Sequence, residues 1–311
     1  MKPVTTMMAL RAHARGGPEQ LIYEPAPVPA PGPGEALIAV HAGGITFAEL
    51  TWELSWTTRD GRDRTPVIPS HEVSGAVSAL GPGVTGVAAG DEVFGLIEFD
   101  RNGAAADYVT VPAAHLAAKP ATASHAEAAA LSLAALTAWQ ALVDHADTQP
   151  GDQVLIQGGA GGIGVYAVQL AAVLGGQVTA TGHERDGAFI RSLGAHAFAA
   201  AGTPLPGDFD VVIDTVGGAV LDASYDLLRR GGRLVTLGAP PSQDRAAARG
   251  AHAMFFVVTP DAAELTKLAG LVDEGRLRAV ISQTFPVSDG RHAFETAREA
   301  RPPGKTVLIV R

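Results

Sequence analysis

Hydrophobic and polar positions along the chain follow two rhythms, and the change falls near Ser124. Before it, short apolar runs (Ala36–His41, Val73–Leu80, Glu92–Leu96) are separated by breaks such as Gly81-Pro82-Gly83 and Gly90-Asp91. Runs of this length bounded by turn residues predict short strands, and so a β-rich region over the first ~120 residues. Pro25, Pro27, Pro29, Pro31 and Pro33, ahead of Gly34-Glu35, predict a stiff extended connector, because a locked φ disfavours helix and central strand alike. After Ser124 an alanine- and leucine-rich stretch with helical spacing runs to Asp147 and stops before Pro150-Gly151. Strands at Gln153–Gln157, Gln177–Thr181, Val211–Asp214 and Gly232–Leu237 then alternate with helices at Gly164–Leu174, Asp186–Leu193 and Val220–Leu228. The final stretch breaks this alternation: helices at Asp261–Glu274 and Asp289–Arg298 are followed in turn by strands at Ile281–Phe285 and Thr306–Val310.

Apolar strands alternating with helices predict a parallel sheet covered on both faces, a doubly wound arrangement. The chain therefore reads as α/β, with a doubly wound domain at 124–259 inserted between two parts of a β-rich domain, 1–123 and 260–311. A length of 311 residues exceeds what one core usually supports, and 47% hydrophobic residues can fill two. A net charge of −9, with no basic run, argues against a nucleic-acid or anionic-membrane partner. No apolar stretch reaches the ~18 residues a bilayer requires. Met1–Leu10 lacks the pattern of a secretory leader. With no cysteine in the chain, disulfides, thiolate catalysis and Cys-ligated metal are excluded, which suits a reducing cytoplasm.

Between the first strand and first helix of the α/β region lies Gly158-Gly159-Ala160-Gly161-Gly162-Ile163-Gly164, with G-x-G-x-x-G spacing at Gly159, Gly161 and Gly164. Glycines at this spacing allow a tight turn, close backbone approach to a pyrophosphate, and close helix–strand packing. In a chain of 37 glycines the spacing alone says little, but it follows Val154-Leu155-Ile156 and opens a helix, the context a dinucleotide site requires. The second strand ends at Thr181-Gly182 without the acid that bonds a ribose 2′-hydroxyl in NAD sites. His183 and Arg185 follow and suit a 2′-phosphate; Glu184 between them is the counter-argument, and all three also read as the solvated start of a helix. The expected cofactor is NADPH over NADH, held by Gly159, Ala160, Gly161, Gly162, Ile163, Thr181, His183 and Arg185. A methyltransferase, whose sheet also begins with a glycine-rich turn, usually places an acid where Thr181 stands.

Several further motifs accompany this turn: Gly81-Pro82-Gly83-Val84-Thr85, Gly90-Asp91-Glu92-Val93, Leu136-Thr137-Ala138-Trp139, Asp214-Thr215-Val216-Gly217-Gly218, Gly231-Gly232-Arg233-Leu234 and Gly304-Lys305-Thr306-Val307. Through them nearly the whole chain resembles the medium-chain dehydrogenase/reductase superfamily, in its zinc-free, zeta-crystallin-like quinone oxidoreductase branch. The resemblance implies a GroES-like β-rich catalytic domain, a Rossmann domain, and hydride transfer from NADPH to a quinone or an α,β-unsaturated carbonyl. It also implies a homodimer joined through nucleotide-domain edge strands, at Leu234–Leu237 or Phe255–Val258. Zinc-using members carry a Cys, a His-Glu pair and a second Cys where this chain has Thr46, His71-Glu72 and Leu133. No zinc is expected, and His71-Glu72 reads as a hydrogen-bonded structural pair.

Cofactor contacts implied by the resemblance are Thr46, Thr137, Val216, Leu237, Gly238, Phe256, Val257 and Lys305. Thr46 stands where many relatives have Asn, in the run Gly44-Ile45-Thr46-Phe47-Ala48-Glu49. Phe256, with Trp52 and Trp56 four residues apart, is a candidate wall of an acceptor pocket; core packing is the other reading for all three. Arg59–Arg64 reads as a solvated loop or a lid. Thr46 and Tyr108 are candidate catalytic hydroxyls, Tyr108 with a structural alternative. Without a metal to polarise an alcohol oxygen, an acceptor that is already electrophilic is the easier substrate. A polyketide-tailoring enoyl or ketone reductase and a non-catalytic NADPH-binding protein are the alternatives.

Overall fold

The computed structural model describes residues 5–300 and 302–311. The chain divides into two compact units, Met1–Leu133 with Thr259–Arg311, and Ala134–Val258. The first unit opens with an antiparallel ribbon of β1 (Thr6–Ala12) and β2 (Leu21–Pro27). The proline-rich segment thus begins as a strand and not as a bare connector: Pro25 and Pro27 lie opposite Met8 and Thr6. Among the described residues β2 pairs with β1 alone, so one side of it needs no ladder N–H and tolerates proline. β1 itself carries Thr6 as its lone β-branched residue, so pairing and not propensity makes it a strand.

Next, β3 (Glu35–Ile45) pairs antiparallel with both β4 (Glu72–Leu80) and β6 (Tyr108–Pro112), while β5 (Glu92–Leu96) joins β4 to β7 (Leu116–Ala118). Ala36, Ile38 and Val40 alternate along β3 and bury against Val73, Val77, Val93, Val109 and Val111. Between β3 and β4 lies the short helix α1 (Glu53–Trp56). Here the tryptophan pair comes apart. Trp56 is 2% exposed in a core with Leu50, Val67, Ile68 and Phe294, and its Nε1 donates to the Leu50 carbonyl at 2.8 Å. It is core and not a pocket wall. Trp52 precedes the helix in extended backbone, so the two share no helical face, and its ring stands edge-on to Phe99 at 5.0 Å. The loop at Arg59–Arg64 is tied at both ends. Arg59 pairs with Glu98 and Asp100, and Arg64 donates to the carbonyls of Leu54, Ser55 and Phe99.

α2 (His125–Ser132) starts with a capping box between Ser124 and Glu127. The helical stretch expected to run on to Asp147 comes instead in pieces: α2, α3 (Ala134–Trp139) and a π-helical turn at Gln140–His145. Alanine-rich sequence shows no preferred face, so periodicity leaves such breaks unmarked.

In the second unit the order along the chain is β8 (Gln153–Gln157), α4 (Gly164–Val173), β9 (Gln177–Gly182), α5 (Gly187–Ser192), β10 (Ala197–Ala200), β11 (Phe209–Asp214), α6 (Ala219–Leu227), β12 (Leu228–Thr236), α7 (Gln243–Arg249) and β13 (His252–Phe255). All pairings are parallel, and the strand order β10-β9-β8-β11-β12-β13 reverses direction between β8 and β11. This is the doubly wound, Rossmann-type arrangement, whose ligands lie outside the carboxyl ends of the strands at that reversal. β12 is flanked on both sides, so Leu234–Leu237 has no free edge with which to join a second copy. The edges of this sheet are β10 and β13, and of the two expected stretches only the one beginning at Phe255 lies at an edge.

The chain then returns to the first unit with α8 (Ala262–Asp273), β14 (Ile281–Pro286), α9 (Gly290–Ala300) and β15 (Lys305–Ile309). β15 runs antiparallel to β3, with Thr306 opposite Ile45, and parallel to β14. Removing the Trp56 side chain should test its core assignment. Trp56→Ala is expected to lower unfolding free energy by about 3–5 kcal/mol in urea denaturation, the range for large-to-small core changes. A loss below about 1 kcal/mol would return Trp56 to a surface role.

Candidate cofactor and acceptor sites

The turn at 158–164 is set by close approach. Gly158 has φ +80°, and a Cβ on Gly164 would stand 2.0 Å from the Gly158 carbonyl oxygen. α4 can leave β8 this tightly only with glycine there. Thr181, at the end of β9, braces the turn. Its hydroxyl donates to Gln157 Oε1 at 2.7 Å and accepts the Gly158 amide at 3.2 Å; its carbonyl accepts the Gly159 amide at 2.7 Å. Its one hydroxyl proton is therefore engaged, and Thr181 shapes the turn instead of donating to a 2′-phosphate. The amides of Ala160, Gly162, Ile163 and Gly164 have no acceptor among the described residues, and no side chain caps the ten-residue α4. Four free N–H groups at the positive end of a helix form an anion cradle that fits a pyrophosphate.

His183, Glu184 and Arg185 follow on an exposed turn. The Arg185 side chain is 71% exposed, with a loose 3.8 Å contact to Asp186, so its guanidinium is available. Asp214, fully buried at the end of β11, accepts the amides of Val216 and Gly217 at 3.0 Å and the Thr236 hydroxyl at 2.9 Å. It thereby fixes the loops that present Val216, Leu237 and Gly238 at the carboxyl ends of β11 and β12. The run Asp214–Gly218 was legible as a motif, whereas the bracing role of its acid was not. The Phe256 ring lies tilted against His145 with centroids 4.2 Å apart, Val257 is exposed, and Thr137 is buried in α3.

In the first unit a second set of side chains converges. Lys305 enters on β15, and its Nζ donates to Glu72 Oε1 at 2.5 Å, to the Ile45 carbonyl at 2.9 Å and to Thr46 Oγ1 at 3.3 Å. Thr46 Oγ1 lies 3.4 Å from Glu72 Oε1. All three ammonium protons thus have protein acceptors, and Lys305 is an internal ion-pair partner where a cofactor contact was expected. His71 and Glu72 are not bonded to each other. Glu72 meets Lys305, while His71 Nε2 lies 3.6 Å from Glu49 Oε2. Glu49 also accepts the Ser70 amide at 2.9 Å.

Loss of water governs the charges here. Burial pushes the Glu49 carboxyl up to about 8, with neighbouring Glu72 adding to the rise. Burial, then Arg64, pushes the His71 imidazole down to about 3. Burial also raises Glu72, against the pull of Lys305. At neutral pH the group is one ion pair, one protonated carboxyl and one neutral imidazole, so it carries no net charge, as deep burial demands. Glu49 escaped the sequence reading; an acid in the run from Gly43 to Leu50, where Thr46 is the one other polar side chain, was its signal. Tyr108 does not join this group: it sits on β6 opposite Ala39, its ring 4.6 Å from the Arg311 guanidinium, and its part is structural.

A structural or catalytic zinc needs three or four converging N, O or S ligands. Thr46 and Leu133 offer no thiolate, Glu72 is already held by an ammonium, and His71 turns towards Glu49. Among the described residues no three His, Asp or Glu side chains are grouped to hold a metal. This donor set does not fit zinc, whereas the glycine turn fits a dinucleotide.

Comparison with known proteins adds the following. The family model for the alcohol dehydrogenase GroES-like domain matches residues 32–121, and that for zinc-binding dehydrogenase matches 189–308. The solved quinone oxidoreductase from Coxiella burnetii is 31% identical, covering 98% of this chain and 100% of its own, with a TM-score of 0.91. The solved CurK enoyl reductase is 27% identical, covering 98% and 99%, with a TM-score of 0.87. Spectinabilin polyketide synthase system protein NorB of Streptomyces orinoci is 34% identical over 96% of this chain. The chain spans 14% of that protein, and 8% and 5% of two further Streptomyces polyketide synthases.

Two outcomes check these assignments. Gly164→Ala should abolish dinucleotide binding and cost about 1–3 kcal/mol of stability, read by titration and denaturation. For Glu49, whose carboxyl is raised, the bound proton favours the fold. Its contribution is complete below 4.5 and is lost as pH rises through about 8. Unfolding free energy should therefore decline with pH across that window in the natural protein, and decline less in Glu49→Gln; equal slopes would remove the buried proton from Glu49.

Proposed function

We propose that this chain, which belongs to the medium-chain dehydrogenase/reductase superfamily in its quinone oxidoreductase-like branch, is an NADPH-dependent reductase that delivers hydride, without a metal, to a quinone or an α,β-unsaturated carbonyl. The observation that carries this reading is the cradle of four free amides at α4, beside a strand end that lacks a ribose-binding acid and an exposed Arg185. Bound nicotinamide supplies the hydride. The amides of Ala160, Gly162, Ile163 and Gly164 hold the pyrophosphate, and His183 and Arg185 neutralise the 2′-phosphate. Asp214 keeps the loops carrying Val216 and Gly238 rigid, so the cofactor edge meets a preformed backbone.

The choice of acceptor follows from the donor set around Thr46. With no ligand group to seat a metal, an alcohol oxygen is not polarised, and unactivated alcohol oxidation is disfavoured. Hydride addition to a quinone or enone instead leaves a phenolate or enolate whose charge is delocalised, and water suffices as proton source. In this reading the unit Ala134–Val258 holds the dinucleotide and the unit of Met1–Leu133 with Thr259–Arg311 holds the acceptor. The protein works in the cytoplasm as a homodimer paired through the β13 edge, where Met254, Phe255 and Val257 are exposed.

A second reading, reduction of an enoyl thioester in polyketide assembly, is favoured by the 34% identity to the Streptomyces orinoci protein across almost this whole chain. The chemistry is the same on a dedicated substrate, and a panel of free quinones, simple enones and enoyl thioesters with NADPH separates the two by rate. NADPH should bind more tightly than NADH. Arg185→Ala should weaken NADPH by about 10- to 100-fold while leaving NADH unchanged, the range for one charge-assisted contact. Equal affinity of the natural protein for both dinucleotides would sink the cofactor assignment.

A further inference from the structure

The oxygens around Lys305 Nζ include those of Thr46 and Glu72, two positions that the family resemblance places at a metal site, yet an ammonium already stands among them. We propose that Lys305 is a built-in cation: its ammonium supplies, on a covalent tether, the positive charge that the oxygens of Glu72, Thr46 and Ile45 would otherwise draw from a divalent ion, and so keeps metal out of this chain.

Three features of the geometry support this over an ordinary structural salt bridge. First, the contacts are oxygens of three chemical kinds, a carboxylate, a hydroxyl and a backbone carbonyl, a mixture that suits a hard cation. Second, the acceptor capacity exceeds what one ammonium satisfies. Glu72 Oε2, on a side chain 1% exposed, accepts no hydrogen bond from another side chain among the described residues. Third, the site is sealed: Lys305 is 6% exposed, and Gly44 lets Glu72 lie flat against β3, since a Cβ there would stand 2.7 Å from the Glu72 carboxyl carbon. Shortening Lys305 would leave an oxygen-lined, negatively charged hole of the kind that takes a divalent ion. The inference is independent of which acceptor is reduced and of which dinucleotide is used.

The test uses the full chain, with manganese(II) and propylammonium as probes, and reads melting temperature together with metal retained after gel filtration. The natural protein should melt unchanged with either probe and retain neither manganese nor zinc in equimolar amount. Lys305→Ala should melt lower, regain much of that loss with either probe, and retain an equimolar amount of manganese. Lys305→Ala/Glu72→Gln, which removes the charge that calls for a partner, should melt above the single variant and respond to neither probe. Should Lys305→Ala fail to fold alone, its refolding yield with and without propylammonium becomes the readout, and a gain is expected. Equimolar metal in the natural protein, or a Lys305→Ala that responds to the probes no more than the natural protein does, would overturn the proposal.

Discussion

A charge taken out of water has to be answered where it lies, and in the β-rich unit the answer to Glu72 comes from the far end of the chain. Lys305 reaches the Ile45 carbonyl across a separation of 260 residues. That contact exists only in one register of β15 on β3, with Thr306 opposite Ile45 and Val307 opposite Gly44. A slip by one residue would turn Lys305 to the other face of the sheet and strand Glu72 as a buried, unpaired charge. Losing one partner of such a pair costs about 3–5 kcal/mol, a large share of any domain's stability. The ion pair therefore does more than add to the core. It specifies how a unit assembled from two distant chain segments closes.

The parallel unit obeys the opposite rule at its working edge. Its strands bury Val154, Leu155, Ile156, Val211, Val212 and Ile213 completely, and Asp214 and Thr181 have their polar atoms engaged. Where β8 gives way to α4 a run of amides is left open, and there Gly164 packs closely on Gly158 with no side chain capping the helix. The contact that brings the helix onto the strand lies at this open N-terminus. Structural tightness and anion affinity meet at one missing Cβ.

What could be read from the sequence was local. The glycine spacing, the apolar strands β8, β9, β11 and β12 and the helix between them each announce themselves within a few residues. So does the lack of an acid at Thr181. What could not be read depends on distant partners. Thr181 became a brace through Gln157, Trp56 became core through Phe294, and Lys305 turned inward through Glu72. The short edge strands β10 and β13 are built from Ala, His, Met and Phe without alternation, and only pairing with β9 and β12 makes them strands. His71 and Glu72 were adjacent in sequence and so invited reading as a pair, but each meets a different distant partner, Glu49 and Lys305.

The two buried acids of the first unit show two solutions to one problem, and the contrast bears on function. Glu72 keeps its charge by taking an ammonium; Glu49, beside a neutral imidazole, keeps its proton instead. Two ionised carboxylates here, with one ammonium between them, would leave a net negative charge in a medium that screens it poorly. Under the proposed reading an acceptor gains negative charge as hydride arrives, and a bare acid pair in the acceptor-holding unit would oppose that step. With Glu49 protonated and Glu72 paired, the unit presents no such field. Neutrality achieved by one proton and one lysine is what allows two acids to be kept buried in this unit.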